Sequence, residues 1–332
     1  MHTSHNNTHN TPIRWESHVC LPLHPQASFE PIERLRAQGV HYACVNVGMD
    51  MNPLSQIMSV IAGYRASIAA QPERYLLVGS VADIARAKAN GQIAIGFDLE
   101  GSMPLLEQPD MVALFAALGV RQMHFAYNRN NAVAGGCHDV PQGLTPLGLQ
   151  MVQAVNAAGV LMDCAHAGRL CSLEIMAASS KPVVFSHANP LALVEHGRNI
   201  SDEQIRACAA TGGVVCVSGV SVFLGNPKPT VHDVARHAAY VADLVGVQHV
   251  GIGLDYGWSQ AGLDDTPPGA FDPGYWWPQA AGYGNGIADI SYVPQDTWSQ
   301  LDAALKATGL TADESARVMG GNMHRVAQQV WL

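Results

Sequence analysis

The sequence predicts an α/β fold, a (β/α)8 TIM-type barrel in a single domain with closing C-terminal helices, on three observations. Nine short apolar runs recur along the chain, separated by longer stretches that include segments of helical periodicity. The runs are apolar on both faces, as parallel strands covered on each side require. Eight or nine such units over roughly 250 residues match the size of that barrel. A doubly wound open sheet is the rival, and no Gly-rich phosphate fingerprint follows the first run.

In chain order the runs are 13–20, 40–48, 74–80, 93–101, 121–128, 159–166, 182–188, 212–220 and 249–257. Between them, 146–159 and 201–213 read as amphipathic helices. Ser201 and Gln204 give the second a capping-box start, and Gly212 a C-cap. After residue 257 the chain turns rich in Gly, Pro, Trp and Tyr up to Tyr292, without a period. A loop this long in a compact domain is usually functional. Its aromatics either line a pocket or pack as a cover over the barrel. From Pro294 to Leu332 two or three helices are expected to close the domain.

Composition narrows the function classes. The 332 residues are 48% hydrophobic and 14% charged, which excludes disorder. The net charge of −9 argues against nucleic acid or an anionic membrane as partner. Seven scattered cysteines with no CxxC pair fit a reducing compartment, so a cytoplasmic location is expected. No run approaches the ~20 apolar residues of a membrane span. Residues 1–12, with His2, His5 and His9, read as a disordered tail without a signal-peptide pattern, leaving 13–332 as the domain.

Polar groups fall at the C-terminal ends of the runs: His18 and Cys20, Glu100, Tyr127 and Asn128, His166, His187, and Asp255. In a barrel those ends converge on one face, where active sites lie. Each histidine alone reads more readily as a hydrogen-bonded core residue. Five ionisable groups placed alike on different strands point instead to a metal site. His124 reads as packed within the barrel, His196 as a rim residue without a role, and Asp98 as sharing Glu100's side of its strand. Asp163 either orients His166 or satisfies a core partner.

DCAH (163–166), FSHANP (185–190), Arg198 eleven residues after the second histidine, HVGIGLD (249–255) and the ending 309–326 together resemble the membrane (renal) dipeptidase family of zinc peptidases. That family lies within the metal-dependent amidohydrolase-like barrels, and the stretch 127–148 is similar to a bacterial branch of it. The resemblance implies a binuclear zinc site. Glu100 would bridge both ions, His166 and His187 would bind one, and His18 the other. Asp255 would move the proton of the attacking water, and Arg198 would hold a substrate carboxylate. It further implies a dipeptide-like small-molecule substrate and a homodimer.

Two positions depart from the family pattern. His18-Val19-Cys20 stands where the family has His-x-Asp. Cys20 is either a thiolate ligand or a bystander beside a weak or absent first metal, so one or two zinc ions are expected. Tyr127 stands where the family's main line has a histidine, and a phenol can also donate to a developing oxyanion. The expected activity is hydrolysis of a dipeptide or similar small amide. The alternatives are a non-peptide amide or lactam hydrolase on one metal, and a catalytically silent binding protein of the same fold.

Overall fold

The computed structural model describes residues 12–269, 271–284, 286–287 and 290–332. His2, His5, His9 and all of the expected tail except Pro12 lie outside the described residues. Each of the nine apolar runs contains a strand: β1 (Trp15–Cys20), β2 (Tyr42–Met49), β3 (Tyr75–Leu77), β4 (Ile93–Glu100), β5 (Val120–His124), β6 (Leu161–Asp163), β7 (Val183–Phe185), β8 (Val214–Val217) and β9 (Val250–Ile252). A two-residue strand, β10 (Tyr256–Gly257), completes the ninth run.

All the strand pairings are parallel, in the order β10-β1-β2-β4-β5-β6-β7-β8-β9, with β3 paired outside the ring to β4. Because β9 and β10 belong to one run, pairing of β10 with β1 closes the sheet on itself. Among the described residues the ring therefore has eight staves. The third run is the supernumerary one, because its strand β3 pairs only with β4, off the ring, and is half-buried. In β4 the alternation is regular: Leu99 joins the core between sheet and helices, while Asp98 and Glu100 share the other face. In β1 the register shifts between Glu16 and Val19. Glu16 accepts from Trp298 Nε1 (2.8 Å), and His18 faces the carboxylates of β4.

The helices form the outer layer. Those expected at 146–159 and 201–213 are α5 (Pro146–Ala158) and α7 (Asp202–Ala210), after α1 (Glu30–Ala37), α2 (Leu54–Ala70), α3 (Val81–Ala89), α4 (Met111–Ala117) and α6 (Arg169–Ala178). The Ser201–Gln204 capping box forms. The C-cap falls one residue early, at Thr211, with Gly212 following in the left-handed region at φ +83°. Beyond α8 (Ser221–Leu224), α9 (Val231–Val245) and α10 (Pro273–Trp276), three helices close the chain: α11 (Thr297–Ala307), α12 (Ala312–Ala316) and α13 (Asn322–Val330).

α13 plugs the end of the barrel opposite the site. Met323, Val326 and Val330 pack with Trp15 and Tyr42 at the starts of β1 and β2. Trp331 stacks beside them, 5.5 Å from Trp15. Burying side chains of this size contributes about 1.5–3 kcal/mol each. The result is a barrel closed by α13 at one end, with a cavity at its C-terminal strand ends.

Candidate active site

Three of the strand-end residues leave their strands through the left-handed region: Asn128 (φ +59°), His166 (φ +66°) and Asp255 (φ +59°). Non-glycine residues seldom adopt it, though Asn, Asp and His do so most readily. The turn aims each side chain back over the barrel mouth. His18 from the β1 bulge, Glu100 from the end of β4 and His187 from just past β7 reach the same place, so the structure gathers every metal-ligand candidate named from the sequence.

The β1 side of this cluster is rich in charge. His18 Nδ1 lies 2.6 Å from Asp98 Oδ2, and its Nε2 lies 2.5 Å from Glu100 Oε1. Cys20 Sγ stands 3.3 Å from the same Nε2, and Asp255 Oδ1 3.6 Å from it. Burial opposes charge on His18, but the two neighbouring carboxylates outweigh it and raise the imidazole well above its ordinary value. Burial also pushes Asp255 up to about 6, against the pull of His18.

The β6–β7 side is supported by neutral groups. Asn128 Nδ2 donates to the Trp276 carbonyl, which turns its Oδ1 towards His166 Nδ1 at 2.7 Å. That oxygen only accepts, so Nδ1 carries the proton and Nε2 presents a lone pair. Ser186 Oγ holds His187 Nδ1 at 2.7 Å. Burial, with Arg198 and His18 nearby, drives both imidazoles well below the ordinary range, so both are neutral.

The two Nε2 atoms stand 2.9 Å apart, with Glu100 Oε2 3.7 Å from that of His166. Asn128 fixes a lone pair on His166 Nε2; with Ser186 Oγ accepting the His187 Nδ1 proton a second lone pair meets it, and a cation shared with Glu100 relieves their repulsion. The donor set therefore fits a metal ion. Ligand atoms of His18, Glu100 and His187 lie within 4.8 Å of one another, as do those of His18, Cys20 and Asp255. Two Nδ1 protons held by Asp98 and Asn128 are the outer hydrogen bonds that ligating histidines commonly have.

Tyr127 lies flat on His166, ring centroids 4.1 Å apart. Trp277 Nε1 donates to the Tyr127 hydroxyl oxygen at 3.0 Å, which leaves the phenolic proton free to be given elsewhere. Burial holds the phenol well above its ordinary pKa, so that proton is present. Arg198 is buried, and its Nε has no hydrogen-bond partner among the described residues. It borders the same cavity as Glu100, His166 and Asp255.

Other residues fall where the sequence placed them or were missed. His124 is fully buried and pairs with Asp163 at 2.6 Å, while Asp163 Oδ1 accepts from the backbones of Ala165 and Ser186. His196 stands beside Phe223 and Tyr283 with its Nδ1 accepting from the Arg198 backbone. Asp50 was missed. Its carboxylate accepts from the backbones of Met103 and Tyr127 and from Asn131, and fixes the loop that presents Tyr127. Gly101, at φ +119°, makes room: a Cβ there would lie 2.1 Å from Asp50 Oδ1. Ser186 and Asn128 gained no role from the sequence, though their adjacency to His187 and to the β5 strand end was the available signal.

The sequence model of the family described as membrane dipeptidase (peptidase family M19) matches residues 28–267. The chain belongs to this family. The matched span holds Glu100, His166, His187, Arg198 and Asp255 but begins after His18 and Cys20. Among curated relatives, dipeptidase tcpJ of Claviceps purpurea is 28% identical over 254 residues, covering 75% of this chain and 53% of that one. Dipeptidase verJ of Clonostachys rogersoniana is 30% identical over 53% of this chain and 47% of its own length. The chain thus spans about half the length of the curated relatives it matches. Among solved structures, an amidohydrolase from Pseudomonas aeruginosa covers 98% of both chains at 27% identity, with a TM-score of 0.84. A metallo peptidase from Rhodobacter sphaeroides, liganded with a phosphinate mimic of the dipeptide L-Ala-D-Ala, shares the fold at 17% identity and a TM-score of 0.77, covering 97% of this chain and 100% of that one. No helix among the described residues is long and apolar enough to cross a membrane.

Proposed function

We propose that this membrane dipeptidase family member is a zinc-dependent hydrolase that cleaves the amide bond of dipeptides or similar small amides. The observation that carries the reading is the convergence of His166 Nε2 and His187 Nε2 on each other and on Glu100, with their outer nitrogens already held. One ion would be held by His166, His187 and Glu100, and a second by His18, Glu100 and Cys20. When bound, such metals supply Lewis acidity, lowering the pKa of a water towards ~7 and polarising the scissile carbonyl.

The chain's own groups do the remainder. Asp255 Oδ1 faces the His18 side while Ser218 Oγ donates to Oδ2 (3.4 Å), so this carboxylate is positioned to take a proton from the water and pass it to the leaving nitrogen. Tyr127 donates its free phenolic proton to the oxyanion as it develops. Arg198, a buried guanidinium on the same cavity, holds the substrate's free carboxylate. Residues 13–332 act as a single domain, in a cytoplasmic homodimer.

Metal analysis and chelation test the proposal. Purified protein is expected to carry one to two zinc ions per chain and to hydrolyse members of a panel of L,L- and L,D-dipeptides, L-Ala-D-Ala among them, and N-acyl amino acids. Dialysis against a chelator should abolish turnover, and zinc should restore it. Full activity in metal-free protein would refute the assignment.

A further inference from the structure

The cavity above the strand ends, about 490 Å³, is uneven in its charge. Arg198 is the one Lys or Arg side chain among the described residues that lines it. The guanidinium lies at one side, 5.5 Å from the Phe223 ring, which packs against Tyr283. Another part of the lining, Cys20, Leu21 and Gly257, rises over β1 and β10. There the Trp258 backbone donates to the Cys20 carbonyl at 3.0 Å, and Trp258 and Tyr292 both pack on Tyr256. Leu21, Leu23 and Met51 line the same cavity. The Tyr256 hydroxyl is turned away from it and donates to the Pro294 carbonyl at 2.6 Å.

A dipeptide bound with its carboxylate at Arg198 and its amide over the metal ligands would place its ammonium on this apolar side. An ammonium taken from water needs a free carboxylate oxygen there, or it keeps an uncompensated charge. The carboxylates lining the cavity, among the described residues, are Glu100, Asp255 and Asp265. Glu100 faces His18 and His166 with its two oxygens, and Asp255 is divided between His18 and Ser218. Asp265 is exposed at the rim. Cys20 offers a single sulfur, which already faces His18 Nε2. A carboxylate at that position would have had a second oxygen to spare.

We propose that the preferred substrate is an N-acyl amino acid: an amide with a free carboxylate on the amine side and an uncharged, apolar acyl group seated against Trp258, Tyr292 and Met51. This rests on the amide-hydrolase reading above and names its substrate class. Water adds its oxygen to the acyl carbon as the C–N bond breaks. One water proton leaves with the amine nitrogen, and the new carboxylic acid releases the other to solvent. The thioether of Met51 and the indole of Trp258 suit a cavity that accepts acyl groups of varied shape.

A matched pair of substrates tests it on the zinc-loaded full chain. Phe-Ala and 3-phenylpropionyl-Ala differ only in the ammonium, and each is assayed with L- and D-alanine. The expected result is a kcat/KM at least tenfold higher for the phenylpropionyl compound. Cys20→Asp should move that ratio towards the free amine, a readout that loss of metal alone would not change. Trp258→Ala should raise KM for the phenylpropionyl compound while leaving the ratio of the alanine stereoisomers unchanged. A ratio at or below one overturns the substrate assignment and leaves the amide-hydrolase reading standing. If the zinc-loaded, folded protein hydrolyses neither compound nor any member of the wider panel, the amide-hydrolase reading itself falls.

Discussion

The two halves of the site solve the same problem with opposite means. Around His18 the structure places Asp98, Glu100 and Asp255, so the imidazole sits in a field that favours positive charge, whether proton or metal. Around His166 and His187 the supports are an amide and a hydroxyl, and the imidazoles stay neutral with lone pairs already exposed. The first half attracts a cation by charge; the second receives one by preorganisation. A metal entering the second half displaces no proton from its ligands, so its affinity should depend less on pH. Glu100 is the carboxylate that faces both halves, one oxygen towards His18 and the other towards His166.

The largest effect is therefore expected at Glu100. Glu100→Ala should empty both halves and lower kcat by on the order of a thousandfold or more, since several kcal/mol of transition-state stabilisation go with the metals. His187→Ala should cost as much activity yet leave metal on the β1 half, which elemental analysis would register as a lower but non-zero content. Equal metal loss in both variants would break the distinction between the halves.

Next in size are the outer residues. Ser186→Ala should weaken metal binding about 10–100-fold on the β6–β7 half alone, and Asp98→Asn similarly on the β1 half alone. Competition titration with a chromophoric chelator resolves the two affinities; if both variants shift the same one, the division is wrong. Arg198→Ala should raise KM about tenfold or more with kcat little changed, because a carboxylate clamp binds ground and transition states alike. A fall in kcat with constant KM would place Arg198 in the chemistry instead.

The smallest effect should come from outside both halves. Burial, aided by the charge of Lys88 for His41 and of Arg236 for His237, brings each imidazole down to about 4 from its ordinary 6.5. Both are neutral in the fold and become protonated in the unfolded chain, which therefore binds more protons below pH 6.5. Their contribution to stability is complete above pH 6.5 and is lost as the pH falls towards 4. Thermal melts across that window should show Tm decreasing, with a shallower slope in His237→Gln. An unchanged slope would exclude His237 as a contributor.

Much of this was readable in the chain because it depends on period and punctuation. Apolar runs closed by His, Glu or Asp identify strand ends facing a barrel mouth, and a barrel leaves those ends nowhere else to meet. What could not be read depends on loops returning across the mouth. Asp50 lies past β2, and nothing local reveals that it anchors the backbone of Tyr127, 77 positions away. Nor does sequence decide between lining and covering for the segment after β10. Trp258, Trp277, Tyr283 and Tyr292 all line the cavity, and Trp277 and Tyr283 are at the same time buried in the cover, so both readings hold. The β1 bulge likewise defeats strict alternation, since the three steps from Glu16 to Val19 span only the two from Ala43 to Val45 on β2.

The left-handed backbone at His166 and Asp255 has a consequence for how this protein would respond to selection. A side chain in that region costs on the order of 1 kcal/mol that glycine avoids. Glycine at positions 166 and 255 would relieve that strain while deleting a proposed ligand and the proposed proton carrier. The fold would survive that exchange better than its chemistry, and an inert barrel is the form towards which neglect would carry it.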